Sequence, residues 1–472
     1  MDLAAWILAS ASVLAALAGP IAAGHALLTK QEPQVATAWI TVCLLFPLAG
    51  ALFYYTFGIN RVRTRARKLR AEGQTAPGPA PSAEAHTPAI GPEYTEQVRI
   101  SGAVTGRSLQ HGNRIETLRG GEQAFPSMLE AIDTAQHSVY LSTYIFGTKS
   151  SGRQFIRALT AAHRRGVDVR VLIDGVGDLY AWPRASRLLR RAGVPTARFL
   201  PPRLVPPQLS INLRNHRKLL IVDGQRGFTG GMNLSERLLL GGDHAHRVAD
   251  THFLIDGPVV AQMEQVFLED WAFTTGEPQG PSAPGQPHDG GALCRIITDG
   301  PNEDLDRLMM TLIGALSAAR EEVWLVTPYF LPMRSLMTAL EAAALRGVEV
   351  NVLLPGRNNL PFVHWATRHM LGELIHWGVQ VYYQPPPFAH SKLFVVDRRY
   401  AQVGSSNMDP RSLRLNFELN AEVYDPVFAG EIATDCQRLR DRSRQVSRSE
   451  LAQRPPAERL RDAVCWLASP YL

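Results

Sequence analysis

Apolar and polar positions divide this chain into unlike regions. Leu3 to Leu28 is almost wholly apolar, and Ala36 to Gly58 carries no charged residue. At about 1.5 Å of rise per helical residue, each stretch suffices to cross a hydrocarbon core. Residues 1–60 therefore predict a two-helix membrane hairpin. Residues 61–98 have no such periodicity: a basic run gives way to Ala, Pro, Gly and Glu, the composition of a linker. Beyond them, period-two and helical patterns alternate. His137–Phe146 reads as a strand, Ser151–Arg165 as an amphipathic helix and Val167–Ile173 as a buried strand. The order returns in Glu322–Leu331, Arg334–Arg346 and Val348–Leu354. A Pro-rich stretch over 278–293 separates the two series. The predicted domains are thus 99–277 and 294–445, with a tail over 446–472.

The two series share letters as well as order. Arg165-Gly166-Val167-Asp168-Val169 recurs as Arg346-Gly347-Val348-Glu349-Val350, and Ala192-Gly193-Val194 as Trp377-Gly378-Val379, where Gly can end a helix. Alternating strands and helices predict an α/β fold: two pseudo-symmetric domains, each with a mixed sheet flanked by helices. Their symmetry would be a pseudo-two-fold.

Composition adds bounds. The length of 472 residues suits two or three folding units, and a formal charge of +6 suits an anionic membrane surface or nucleic acid equally. Cys43, Cys294, Cys436 and Cys465 include no Cys-x-x-Cys pair and read as free thiols. Arg61, Arg63, Arg65, Arg67, Lys68 and Arg70 follow the second apolar stretch without an intervening acid. By the positive-inside rule this places both domains in the cytoplasm. A cleaved signal peptide is the alternative, but Met1-Asp2-Leu3 lacks a basic leader.

The rarest shared letters carry the chemistry. Asn215-His216-Arg217-Lys218 leads through an apolar run to Asp223 and then to Gly230-Gly231-Met232-Asn233; His390-Ser391-Lys392 leads to Asp397 and to Gly404-Ser405-Ser406-Asn407 at identical spacing. Read as strand residues, each His and Lys pair projects to one face. One His-x-Lys is weak evidence; two copies with matching Asp and Asn are strong. Phosphodiester transfer needs a nucleophile, a proton donor for the leaving alkoxide and positive charge at the phosphoryl oxygens. Two imidazoles can divide the first two tasks. Lys218 and Lys392 supply charge, and Asn233 and Asn407 supply amide donors. The scheme requires neither metal nor cofactor.

The duplicated motif resembles the phospholipase D superfamily over about residues 110–445. The apolar N-terminal pair, Asn212–Lys218, Thr327-Pro328-Tyr329-Phe330, Leu415-Asn416-Phe417-Glu418 and the ending Ser469-Pro470-Tyr471-Leu472 more narrowly resemble bacterial cardiolipin synthases. The resemblance implies two phospholipase D-type domains behind a multi-pass anchor in the bacterial inner membrane. It implies that two phosphatidylglycerol molecules are joined into cardiolipin with release of glycerol, with anionic phospholipids and the membrane as partners. It also implies His216 as nucleophile, His390 as general acid, and a carboxylate behind each imidazole. The candidates are Asp250 for the first repeat and Glu418 for the second. Asp223 and Asp397, within the catalytic motif, are expected to serve mainly the domain structure. One departure stands out: Gly231 occupies the place of Ser405, so a hydroxyl donor is expected on one side only.

Other readings stay open. His244 and His246 invite a metal reading, but no second ligand pair stands at recognisable spacing. His364, Trp365, Arg368 and His369 are candidates for a lipid entrance or for ordinary packing. The tail from Arg459 to Leu472 has helical spacing that suits a membrane surface or docking on the core. A hydrolase, a nuclease and a non-catalytic scaffold are the competing functions. Paired apolar spans disfavour the nuclease, and no nucleic-acid partner is expected.

Overall fold

The computed structural model describes residues 3–30, 33–58, 94–202, 213–241, 246–280, 282, 284–300 and 306–469. The basic run at Arg61–Arg70, most of the predicted linker, His244 and the last three residues lie outside them. The described residues fall into two compact units, one within residues 3–58 and the other made of the rest.

In the first unit, helix Leu3–Thr29 packs on Pro33–Leu45 and Pro47–Phe53. Gly19 allows the close approach, since a Cβ there would lie 2.7 Å from the Cys43 carbonyl oxygen. His25 Nδ1 meets the Tyr54 hydroxyl at 2.7 Å. The second apolar stretch is not one continuous helix, because Pro47 starts a new helix after the non-helical Phe46. Among the described residues no helix is long and apolar enough to cross a membrane.

The second unit holds both repeats. The first supplies strands β1 (Gln110–Arg119), β2 (Ser138–Thr143), β3 (Asp168–Asp174), β4 (Thr196–Phe199), β5 (Leu219–Val222), β6 (Arg226–Gly230), β7 (Val248–Ala249) and β8 (Thr251–Asp256). The second supplies β9 (Ala292–Asp299), β10 (Glu322–Val326), β11 (Glu349–Pro355), β12 (Gln380–Gln384), β13 (Phe388–Ala389), β14 (Leu393–Val396), β15 (Tyr400–Gly404), β16 (Glu418–Tyr424) and β17 (Arg444–Gln445). The sheet order runs β4-β3-β2-β5-β6-β8-β1 and then, mirrored, β9-β16-β15-β14-β10-β11-β12-β17. β2, β3 and β4 are parallel, as are β10, β11 and β12, and the other neighbours in this sheet are antiparallel. The mixed α/β sheets expected from the repeat are therefore present, and the β1–β9 pairing joins them into one.

Local patterning explains the elements. Helix Ser150–Arg164 buries Phe155, Ala158, Leu159 and Ala162, a helical stripe facing the sheet. Gly166, Gly193, Gly347 and Gly378 follow their helices with φ between 85° and 96°, the conformation glycine accepts most easily. The helix Thr95–Thr105 falls at the predicted start of the first domain, yet it packs on the second repeat. Gln97 Nε2 donates to Thr311 O at 2.9 Å, and Tyr94 joins the core of that repeat. The tail also docks on the second repeat. Asp462, buried in helix Pro456–Leu467, accepts from Arg368 at 2.8 Å, from Arg461 at 2.9 Å and from Arg454.

Candidate active site

Each His-x-Lys lies just before a strand rather than within it, ahead of β5 and β14. Backbone pairing between the repeats fixes these approaches. Asn215 bridges to Phe417, with His216 N–H donating to Phe417 O at 2.9 Å. β7 pairs with β13, and His390 N–H donates to Ala249 O at 2.8 Å. The residue after Phe417 is Glu418, and the residue after Ala249 is Asp250. The bridges thus deliver each carboxylate to the imidazole of the other repeat.

His216 Nδ1 lies 2.9 Å from Glu418 Oε1, and His390 Nδ1 lies 2.7 Å from Asp250 Oδ2. Both expected carboxylates are at the site, but the expected pairing within repeats is corrected to a crossed one. Ser405 also departs from expectation: its hydroxyl donates to Glu418 Oε2 at 2.5 Å and so supports the carboxylate instead of facing phosphate. Gly231 occupies the corresponding place beside Asp250, where a Cβ would sit 2.5 Å from Oδ1.

Burial dominates the electrostatics. It pulls the His216 imidazole below its ordinary pKa against the opposing pull of Glu418, and it lowers His390 to about 4 despite Asp250. Burial also brings Lys218 down to about 7 and Lys392 to about 8. For Asp250 and Glu418, burial pushes upward but is outweighed by the histidine and lysine beside each, so both stay below the usual carboxylate range. Lys218 Nζ donates to His216 O at 2.6 Å, while Lys392 Nζ lies 3.0 and 3.1 Å from the ring nitrogens of His390. The result is a desolvated site with two neutral imidazoles, two carboxylates and two easily titrated lysines.

His216 and His390 share one cleft of about 1540 Å³, lined from both repeats and including Asn233, Asn407, Tyr144 and Tyr329. The family model described as "Cardiolipin synthase, PLD-like domain" matches residues 128–271 and 312–440. The cardiolipin synthase of Geobacillus kaustophilus is 33% identical over 454 residues, covering 94% of this chain and 90% of that one.

The chain belongs to the cardiolipin synthase family.

It is a phosphatidyltransferase of the phospholipase D superfamily. Cardiolipin synthase A of Pseudomonas entomophila is a further relative, 31% identical over 97% of this chain and 96% of its own. A model described as "Phospholipase_D-nuclease N-terminal" matches residues 4–58. The fold is shared with the crystal structure of phosphatidylserine synthase from Haemophilus influenzae. That structure aligns with a TM-score of 0.62 at 15% identity, covering 80% of this chain and 100% of that one.

Within this cardiolipin synthase family member, the remaining motif residues divide between cleft and scaffold. Asp223 accepts backbone N–H groups of Gln136, His137 and Ser138, and Asp397 those of Arg320, Glu321 and Glu322, all within 3.0 Å. Neither lines the cleft. Asn233, which lines the cleft, accepts from Ile145 N–H through Oδ1 at 3.1 Å, a bond that does not use its amide donors. Asn407 spends one donor on Ser412 Oγ at 3.1 Å.

Several residues have places at the site that their position in the sequence did not assign them. Tyr144 sets its ring edge-on to His216 at 5.5 Å, and Tyr329 does the same to His390 at 6.4 Å. Arg217, the variable letter of the first motif, is buried, pairs with Asp270 at 2.7 Å and donates to Glu418 O at 3.0 Å. It thus holds the backbone of the residue that supports His216. Asp409 lines the cleft, and burial raises its carboxyl to about 7. Only the recurrence of Asn407-x-Asp409 against Asn233-x-Ser235 could have drawn attention to it.

The other candidates lie elsewhere. His246 is exposed at the cleft, and among the described residues no three metal-ligating side chains cluster. Trp365 sits under the Arg461 guanidinium at 4.4 Å and His369 against Trp466 at 5.0 Å. These face the tail helix, while Pro361, Phe362 and Val363 of their own helix face the cleft.

Proposed function

We propose that this protein joins two phosphatidylglycerol molecules into cardiolipin and glycerol through a phosphohistidine. The observation that carries the reading is the pair of imidazoles in one cleft, each with Nδ1 held by a buried carboxylate. A carboxylate that accepts the Nδ1 proton leaves Nε2 with its lone pair. His216 Nε2 attacks the phosphorus of the first lipid, and the bond to the headgroup glycerol breaks. His390 Nε2, protonated, gives its proton to that leaving alkoxide. The hydroxyl of a second phosphatidylglycerol then returns a proton to His390, attacks phosphorus and breaks the N–P bond. An arriving phosphodiester anion favours the protonated form of His390. Lys218, Lys392 and Asn233 stabilise the charge on the phosphoryl oxygens.

Defined-lipid vesicles test this directly. Phosphatidylglycerol alone should yield cardiolipin and glycerol in equal amounts. Phosphatidic acid as the sole product would make the protein a hydrolase, and a requirement for phosphatidylethanolamine would change the second substrate.

The N-terminal unit anchors the enzyme in the bacterial inner membrane with both repeats cytoplasmic. Support comes from the two apolar stretches and from the basic residues Arg61 to Arg70 that follow them. A reporter fused after residue 100 should read as cytoplasmic, and a periplasmic signal would overturn the topology.

A further inference from the structure

The mouth of the cleft carries apolar side chains that the chemistry does not use. After β3, Gly177–Tyr180 forms a single 3-10 turn. Leu179, Tyr180 and Trp182 point into solvent there, Tyr180 with 67% and Trp182 with 81% of its surface exposed. Tyr180 and Trp182 also line the cleft, and Phe362 does so from the second repeat while staying exposed. Scattered exposed apolar residues are ordinary. Three large ones within four positions, at the entrance to a site that handles lipid, are not scattered.

The turn is built to hold them outward. Asp178 is fully buried, and its carboxylate accepts Ser186 Oγ at 2.6 Å and Ser186 N–H at 3.2 Å. Gly177 presses on the Tyr144 carbonyl so closely that a Cβ would overlap it at 1.7 Å. From this base the rings lead inward, with Tyr180 6.3 Å from Tyr144 and Tyr144 5.5 Å from His216.

Charge at the mouth has one predominant sign. Lys149, Arg237, Arg247 and Arg357 line the cleft and are exposed, whereas of the lining acids Asp250 and Asp409 are buried and Glu236 is half-buried. Indole and phenol rings ringed by basic groups suit the boundary between headgroups and acyl chains. Single-stranded nucleic acid would stack bases on Tyr180 and Trp182 but leave the aliphatic Leu179 in water, whereas a bilayer covers both kinds of side chain.

We propose that the cleft mouth is a docking surface for an anionic phospholipid bilayer. Leu179, Tyr180, Trp182 and Phe362 enter the acyl boundary while the four basic side chains contact headgroups. A lipid then reaches His216 and His390 with its acyl chains still in the bilayer. This rests on the phosphatidylglycerol reading above.

The test uses the full chain in lipid nanodiscs whose phosphatidylglycerol carries brominated acyl chains, which quench nearby tryptophan. Quenching should be smaller for Trp182→Ala than for the parent, whereas Trp377→Ala, which removes an exposed indole away from the cleft, should keep the parent's quenching increment. Trp182→Phe, which keeps a ring and so guards against misfolding, should lose the same increment as Trp182→Ala. Brominated zwitterionic discs should quench Trp182 less than anionic ones. Equal quenching of the parent and both Trp182 variants would overturn the proposal, as would protection of residues 177–184 from hydrogen exchange by single-stranded nucleic acid but not by the discs. Cardiolipin assayed in the same discs separates the two readings. Product without Trp182 quenching sinks the docking surface alone, and Trp182 quenching without product sinks the substrate reading alone.

Discussion

Nδ1 of His216 lies 2.9 Å from Oε1 of Glu418, a residue 202 positions later and in the other repeat. The reciprocal contact, His390 to Asp250, spans 140 positions in the opposite sense. If His216 attacks phosphorus, Glu418 serves the nucleophile and Asp250 the acid. With a substrate that has a good leaving group, Glu418→Gln should form the covalent intermediate about a hundredfold more slowly or worse. Asp250→Asn should form it at nearly the parent rate, because the departing group then needs no proton. Rapid acid-free quenching of labelled substrate reads the phosphohistidine. The opposite pattern would make His390 the nucleophile.

The pH profile of kcat, which reports the complex in which bound phosphodiester favours protonated His390, should be bell-shaped, with its alkaline limb set by lysine. Lys218 and Lys392, brought by burial to about 7 and about 8, lose their protons and their charge as pH rises through those values. The acid limb should lie below the ordinary histidine range, where His216 becomes protonated and loses its lone pair. A rate that holds level from pH 7 to 10 would contradict the lysine assignment.

Asp223→Ala and Asp397→Ala should lower stability more than chemistry. Each carboxylate satisfies three backbone N–H groups, and a net hydrogen bond contributes about 0.5–1.5 kcal/mol where water can replace the lost partner. The melting temperature should drop while the kcat of the folded fraction stays near that of the parent. A collapse of kcat without loss of stability would return both residues to the chemistry.

Asp409 gives the opposite sign. Its folded carboxyl titrates near 7, above the unfolded value of 3.8, so it costs stability progressively as pH rises from about 4 to 7. Asp409→Asn keeps a side-chain acceptor for Ser412 N–H and removes the charge. Denaturant titrations should show the variant gaining on the parent between pH 5 and pH 8, by roughly 2–3 kcal/mol. A constant difference would refute the titration.

Activity should survive chelation, because two lysines and two imidazoles occupy the roles that a Lewis acid would fill. Loss with a chelator, restored by a single transition metal, would contradict this.

Much of the site was legible in the sequence because its letters recur at fixed spacing within each repeat. His216, Lys218, His390 and Lys392 needed only that spacing. The crossed carboxylates did not follow from it, since spacing along one repeat says nothing about contacts made by the other. Position in sequence drew Glu418 toward His390, whereas the Asn215–Phe417 bridge takes it to His216. Helix Thr95–Thr105 was obscured for a different reason. Its buried face is Gln97, Ser101 and Thr105, so the helical period is present but polar. Ser405 was misread because a hydroxyl in a phosphate-binding motif suggests phosphate, while its partner Glu418 is remote in the pattern.

The exchanged bridges also limit how substrate can enter. A clamshell opening between the repeats would separate Asn215 from Phe417 and β7 from β13, and it would strip both imidazoles of their carboxylates at once. Loading by hinge motion would therefore dismantle the catalyst in order to fill it. On the phosphatidylglycerol reading, traffic passes through a standing doorway, with two lipids threading in and glycerol and cardiolipin leaving while the halves stay clasped.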